Sequence, residues 1–506
     1  MRSFIANFAL TNHLNLINTM TAFLIALAVL IGGYFVYGLI VDKILATDKD
    51  RPMPCYTMRD DIDYLPMPTW KAFLIQFLNI AGLGPIFGAI MGVMFGPAAF
   101  LWITLGTIFA GAVHDFVSGV VSIRSGGASL PEIVGKELGV SVKQVMRVFS
   151  ILLLVLVGAV FISTPASIIH GLTNGVMTEW FWIAVIFIYY LLATMLPIDK
   201  LIGNLYPLFG IALLFMAVAL LCIILFDPSV HLPIDMSEGI FNAQSDPDVK
   251  PLFPMMFVSI ACGAISGFHA TQSPMIARCL KSEKLARPIF YGAMVAEGIV
   301  ALIWAAAAIA FTGGYTELSQ FFQANGNGAT AQLVNEISVG WLGKIGGVLA
   351  ILGVIAAPIS TGDTALRSTR LIVADLFKLD QKTLSKRLMV SLPIFGFVAL
   401  LMFIEFGVLW RYFAWANQTL SVFTLWAVTV YLARHAKPYI ITLLPAMFMT
   451  VVSVSYLLFA PRPEGLGLPL WIAVTAGCLV AFVFTLLFIR YLRSRKVDAL
   501  NPSVNL

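Results

Sequence analysis

At 506 residues, with 59% hydrophobic and 11% charged side chains, the chain lies far from the roughly 25% charge of a soluble domain. A mean hydropathy of +0.92 and recurring apolar runs of about 20 residues mark a polytopic, all-α membrane protein whose first partner is the lipid bilayer. The net charge of +5 is a topology signal and implies no nucleic-acid partner.

Thirteen stretches are long enough for transmembrane helices: 19–45, 72–95, 97–122, 144–168, 180–196, 204–226, 252–277, 288–312, 343–366, 388–406, 410–432, 438–459 and 470–492. The first has no small-residue cleavage site behind it and is too long for a signal-peptide core, so it is expected to remain a membrane helix. The second holds the most telling segment. In QFLNIAGLGPIFG, residues 76–88, Pro85 lacks an amide hydrogen, and Gly82 and Gly84 each cost about 1 kcal/mol in a helix interior. Freed backbone groups cannot face lipid, so a break over residues 80–86 must be buried in protein or line a polar cavity. That makes it a candidate substrate or ion site.

The third stretch carries His114 and Asp115, where a charge near the bilayer centre costs about 2.5–3.5 kcal/mol, so both should face the protein interior. Asp115 reads either as a proton carrier with His114 beside it or as an anchor to a neighbouring helix or to Arg124. Glu132, Lys136, Glu137 and Lys143 fit a short amphipathic cytoplasmic helix in which Glu132 could gate the inner side. The seventh stretch is a second interrupted helix, with Gly263, Ser266, Gly267, His269, Thr271, Gln272, Ser273 and Pro274 in its middle and second half. Glu297 in the eighth is a buried acid on a proton route or bonded to a neighbouring break. In the ninth, Ala357, Ser360 and Thr361 stand at i, i+3 and i+4 beside a break expected at Pro358 and Gly362. Asp363 and Arg367 there form an i,i+4 pair, a structural one or a releasable proton site.

The two interrupted helices open corresponding sets of five, starting at 72, 97, 144, 180 and 204 and at 252, 288, 343, 388 and 410. An odd count inverts the second set, which gives a five-plus-five inverted repeat of the LeuT type with one extra N-terminal and two extra C-terminal helices. The expected units are 1–71 (helix and cytoplasmic linker), 72–226 and 252–432 (the two repeats) and 433–506 (C-terminal helices and basic tail). Alternating the loops puts 26 of the 31 Lys and Arg on one side, so the N-terminus is expected outside and the C-terminus in the cytoplasm.

NIAGLGPIFGA at 79–89, GAVHDFVSG at 111–119, RSGGASLPE at 124–132, CGAISGFHATQSP at 262–274 and TGDTALRSTR at 361–370 together resemble the carbon starvation protein A (CstA) family. The resemblance runs from about residue 20 to at least 380 with the motifs in family order. It implies an inner-membrane transporter of the amino acid, polyamine and organocation superfamily, in which characterised members are associated with uptake of peptides and of pyruvate. The chain looks like a short form: Ile75 and Gln76 stand where longer members carry a His-His pair, and the C-terminal extension is shorter.

Expected substrate contacts are Gln76, Asn79, Gly82, Gly84, Gly263, Ser266, His269 and Gln272, because half-helix N-termini attract a carboxylate and neutral amides bind polar groups. Ion coupling is expected at Ala357, Ser360, Thr361, Asp115 and Asp363. The coupling ion is H+ or Na+, the latter at Gly82, Ala357, Ser360 and Thr361 as the LeuT-like resemblance suggests; no other metal or cofactor is expected. No nucleophile–base set, metal-ligand spacing or phosphate loop points to an enzyme. The function expected is secondary active import of small carboxylates by alternating access, with a nutrient sensor or a channel as alternatives and a small accessory membrane protein as a conceivable partner.

Overall fold

A computed structural model describes residues 20–60, 64–173, 175–195, 198–233, 240–379, 381 and 383–500, with the side chains of 172, 198–205, 327, 350, 351 and 495–500 left aside. Residues 1–19, on which the outside placement of the N-terminus rests, lie outside the described residues, as do Arg2 and Lys382 of the charge pattern.

Helix α1 (Met20–Leu45) ends at Ala46, whose left-handed backbone (φ 49°) stops the helix. A linker follows that buries Met53, Pro54 and Cys55. After Pro68, α2 (Thr69–Ala81) runs into Gly82, whose φ of 44° and ψ of −129° a helix cannot continue. The chain resumes as α3 (Gly84–Val93), bent 51° from α2, and its first turn over Gly84–Gly88 is a π turn with Pro85 near its start. The predicted first break is therefore where the sequence puts it. Gly96 and Pro97 lead into α4 (Ala98–Arg124), which carries a π segment over Trp102–Gly111. The amphipathic α5 (Leu130–Leu138) is joined through Gly139 (φ 98°) to the long α6 (Val140–Leu172).

Next come α7 (Glu179–Met195) and α8 (Ile198–Phe226). The second interrupted helix is α9 (Leu252–Ser259) and α10 (His269–Ala277), separated by nine non-α-helical residues. Then follow α11 (Glu283–Thr312), α12 (Tyr315–Asn325), α13 (Ala329–Leu349) and α14 (Ala356–Leu376). The bend expected at Pro358 and Gly362 lies earlier. A π turn over Ala350–Ile355 separates α13 from α14, which are bent by 60°. Pro358 follows closely on this π turn, and the helix passes through it. Gly362 is there for packing: a Cβ on it would overlap the Tyr190 hydroxyl. The chain closes with α15 (Leu384–Leu401), α16 (Phe406–Arg434), α17 (Ile440–Phe459) and α18 (Leu470–Leu500).

Among the described residues eight helices are long and apolar enough to cross a membrane, or ten if each bent pair counts once. The stretches expected at 180–196, 252–277 and 410–432 are helical, as α7, α9 with α10, and α16, but are not among those ten. The described residues form helices and no strands, and the chain is a multi-pass membrane protein. Helices α4 and α11 are central, with 78% of their apolar windows buried, while α1, α15 and α18, at 22–28%, present apolar surface outward, as helices bordering lipid must. Around that centre α10 packs on α4, α8 on α2, α14 on α6, and α16 on α6 and α17.

The C-terminal end of α7 is closed by arginines from elsewhere. Arg367 and Arg370 of α14 donate to the carbonyls of Ala193 and Thr194, each at 2.7 Å, and Arg387 of α15 donates to that of Met195 at 3.1 Å. Helix ends leave such carbonyls unsatisfied with a partial negative charge, which guanidinium groups complement.

Candidate functional site

The two breaks lie against each other. A Cβ on Gly84 would overlap the Cβ and Sγ of Cys262, one on Gly88 would come within 3.1 Å of the Ser259 carbonyl, and one on Gly263 (φ 89°) would stand 3.7 Å from Pro85 Cα. Glycine is required at both Gly84 and Gly263, for close approach at the first and backbone conformation at the second.

The second break is held by protein groups at Ala261, Gly263 and residues 266–268. Gly263 donates its N–H to Glu297 at 3.1 Å, and its carbonyl accepts from Thr107 Oγ1 at 2.7 Å. Asn417 on α16 replaces the missing helix bonds: its Oδ1 accepts from the Phe268 N–H at 2.7 Å and from Ser266 Oγ at 3.0 Å, and its Nδ2 donates to the Ala261 carbonyl at 2.9 Å. Gly267 N–H donates to the Asn417 carbonyl at 3.2 Å. Expected substrate contacts Gly263 and Ser266 are thus occupied by scaffold bonds in this state.

Beside it runs a line of four buried titratable groups. His114 Nδ1 and Asp115 Oδ1 are 2.8 Å apart, so these neighbours do share a bond. Asp115 Oδ2 is 2.8 Å from His269 Nδ1 at the start of α10, and His269 Nε2 is 3.4 Å from Glu297 Oε2 on α11. All four side chains are fully buried. Asp115 therefore anchors α4 to α10. Arg124, its expected alternative partner, binds Glu283 instead, at 2.6 Å. Cys262 Sγ, His269 Nε2 and a Glu297 oxygen lie within 4.8 Å of one another; these are the residues that could hold a metal ion.

The first break is the opposite case. Gln76 and Asn79, one face of α2 leading to Gly82, are completely buried, and none of their four amide atoms has a protein partner. Gln272 is buried too, with its Nε2 on Thr271 Oγ1 at 2.9 Å and its Oε1 unpartnered. Buried amides are nearly always hydrogen-bonded, so this concentration of orphan atoms is what a polar ligand would satisfy. Gly82 itself is roofed by Phe161, 2.9 Å from where a Cβ would stand.

An oxygen cluster joins α2 to α14. Thr361 Oγ1 lies 3.1 Å from the Leu78 carbonyl and 3.0 Å from that of Ala357, and Ser360 Oγ lies 2.7 Å from Ala357 O. The α2 carbonyl that reaches Thr361 is that of Leu78, while Gly82 faces the Thr361 methyl. Asp363 sits 3.8 Å from Arg367 and accepts from the Tyr206 hydroxyl at 3.1 Å. Tyr206 and Thr107 were not legible as site residues, since one hydroxyl in an apolar run carries no signal of its partner.

At the end bearing the 46–60 linker, Glu283 is completely buried. It accepts from Arg124, from Arg51 Nε at 3.1 Å and from the Asp48 N–H at 2.7 Å. Glu132, expected as the gating acid, is exposed on α5. A lone acid among Lys281, Lys284 and Arg287 was the available signal for Glu283.

Comparison with known proteins shows the family and the fold. The family model described as "Carbon starvation protein CstA" matches residues 18–180 and 170–342. An uncharacterized membrane protein of Haemophilus influenzae is 43% identical over 339 residues, 58% of this chain and 91% of that protein. The peptide transporter CstA of Bacillus subtilis is 27% identical over 57% of this chain and 58% of its own length. The pyruvate/proton symporter BtsT of Escherichia coli is 27% identical over 55% of this chain and 47% of its own. The matches thus span about half the length of these two named transporters. Among solved structures, the Eremococcus coleocola manganese transporter superposes with a TM-score of 0.55 at 11% identity, covering 86% of this chain and 99% of that one. MhsT in complex with L-phenylalanine superposes with a TM-score of 0.50 at 15% identity, covering 82% and 98%. These structures share the LeuT-like fold alone. By motif, family model and relatives, the chain belongs to the carbon starvation protein CstA family.

Proposed function

We propose that this protein is a secondary active transporter that imports small carboxylate nutrients, short peptides, amino acids or pyruvate, by alternating access. The observation that carries the reading is the set of partnerless, fully buried amide atoms of Gln76 and Asn79 at a helix break, the place where transporters of broken-helix design bind solute. In this reading ten of thirteen helices form the five-plus-five inverted repeat, residues 72–226 and 252–432, in the cytoplasmic membrane with the C-terminus inside. Substrate binds beside Gly82, Gly84 and Gln272, and the half-helix N-terminus attracts its carboxylate.

Coupling is to protons through Asp115, His269 and Glu297. A neutral imidazole donates one hydrogen bond and a protonated one donates two. His269, between two carboxylates, therefore binds both α4 and α11 when it carries the extra proton, and only one when it does not. The proton thereby changes how the second break is held, which gives the bound ion a differential hold on two conformations. The proton-symporting relative named above supports the same choice. The oxygen cluster of Leu78, Ala357, Ser360 and Thr361 supports a second reading, Na+ coupling, with all-oxygen ligands of the kind hard cations take.

The test is uptake of labelled pyruvate, alanine and alanyl-alanine into proteoliposomes under separately imposed proton and sodium gradients, with and without a chelator. Accumulation driven by protons and indifferent to the chelator is expected. Accumulation driven by sodium alone would move coupling to the oxygen cluster, and loss with the chelator would put a metal at Cys262, His269 and Glu297. Asp115→Asn is expected to abolish accumulation yet retain substrate exchange; full accumulation by that variant would remove Asp115 from the coupling.

A further inference from the structure

A cavity of about 210 Å³ lies apart from the orphan amides. It is lined by Ser163, Thr164 and Ser167 of α6, Glu179 at the start of α7, and the rings of Phe87 and Phe406. A chain of aromatic contacts links it to the first break. Phe161, which roofs Gly82, has its ring 6.0 Å from that of Phe413; Trp410 lies 5.4 Å from Phe413, 5.8 Å from Phe87 and 6.1 Å from Phe406. The cavity is thus an antechamber separated from Gly82 by aromatic side chains.

Its lining has a definite chemical preference. Glu179 is its one charged side chain, and no cation lines it. Thr164 is 2% exposed and its hydroxyl has no partner, although Ser163 beside it bonds back to the Ala159 carbonyl at 3.0 Å. A buried hydroxyl with no partner, on a residue that lines a cavity, is a position for a ligand's polar group. A carboxylate, hydroxyl acceptors and two phenylalanines together suit a primary ammonium group, held by charge, hydrogen bonds and cation–π attraction. They repel a simple anion, which finds no positive group there.

We infer that this antechamber is a binding site for the ammonium end of a small zwitterion, an amino acid or a short peptide with a free N-terminus, on its way to the break at Gly82. The inference rests on the transport reading and narrows its substrate class: an ammonium-bearing solute is selected over a 2-oxo acid. A glutamate in the first turn of α7 is also favoured by the helix dipole, but the dipole explains neither the open Thr164 hydroxyl nor the aromatic walls.

Binding and uptake of alanyl-alanine, N-acetyl-alanyl-alanine and pyruvate by the full-length protein separate the possibilities. Wild type is expected to bind the free dipeptide more tightly than the acetylated one. Glu179→Gln is expected to weaken the free dipeptide about fivefold, the scale of one exposed charge contact, and to leave the other two unchanged. Thr164→Val, which keeps the shape, is expected to weaken the free dipeptide without lowering the melting temperature. Equal effects of Glu179→Gln on free and acetylated dipeptides, or no effect on either, would overturn the assignment, as would absence of dipeptide binding to wild type. Binding that responds to Glu179→Gln without any uptake would leave the site standing and overturn the transport reading instead.

Discussion

The two helix breaks solve one problem in opposite ways. At 260–268 the interrupted backbone is tied by Asn417, Thr107 and Glu297, so nearly every polar group named there has a protein partner. At Gly82 the neighbouring amides of Gln76 and Asn79 have none. Since an unsatisfied buried group costs about 1–3 kcal/mol, a break with its bonds filled is a built joint, and one with bonds open is a receptacle. The breaks occupy corresponding places in the sequence, and the orphan amides of α2 stand at the first.

The sharpest way to break this comparison is Gly84→Leu, which drives a side chain into Cys262 where the two breaks meet. Uptake should vanish while the protein still inserts and can be purified; retained uptake would remove the breaks from the path. Asn417→Ala comes next. It strands the Phe268 N–H and the Ala261 carbonyl, and should cost about 2–4 kcal/mol of stability for two orphaned groups, read as a lowered melting temperature in detergent. Gln76→Leu tests the other side. Because its amide bonds nothing in the protein, melting should hold or rise, whereas KM for substrate should increase about tenfold for one or two lost hydrogen bonds. A stability loss as large as that of Asn417→Ala would show that the two breaks are built alike. The smallest effect is expected of Ser360→Ala, under about 1.5 kcal/mol for one hydroxyl that bonds its own helix; any loss of sodium stimulation with it would favour the oxygen cluster.

Both breaks were legible because glycine and proline act locally: Pro85 and Gly82 forbid a helix whatever surrounds them. Burial of Asp115, His269 and Glu297 was legible for the same kind of reason, since a charge in an apolar run has nowhere else to go. Their assembly into one line was not, because the contact between Asp115 and His269 joins residues 154 positions apart. Pro358 shows where local reasoning went astray. Proline removes one helix bond, and nothing in AAPISTGDTALR tells that a π turn stands just ahead of it and the helix runs on. Ser266 misled for another reason: a hydroxyl beside a break is equally suited to a ligand and to Asn417, and only the fold chooses.

The arginine closure at the end of α7 has a mechanical consequence. Arg367 and Arg370 belong to α14, the same helix that carries Ser360, Thr361 and Asp363, so α7 is riveted to the helix bearing the oxygen cluster. The two should travel as a single body through the transport cycle, and the give in the molecule must fall elsewhere, where α14 meets α2 at the Thr361–Leu78 bond. Paired spin labels on α7 and α14 would keep a constant spacing in every state, while pairs across α2 and α14 would report the stroke.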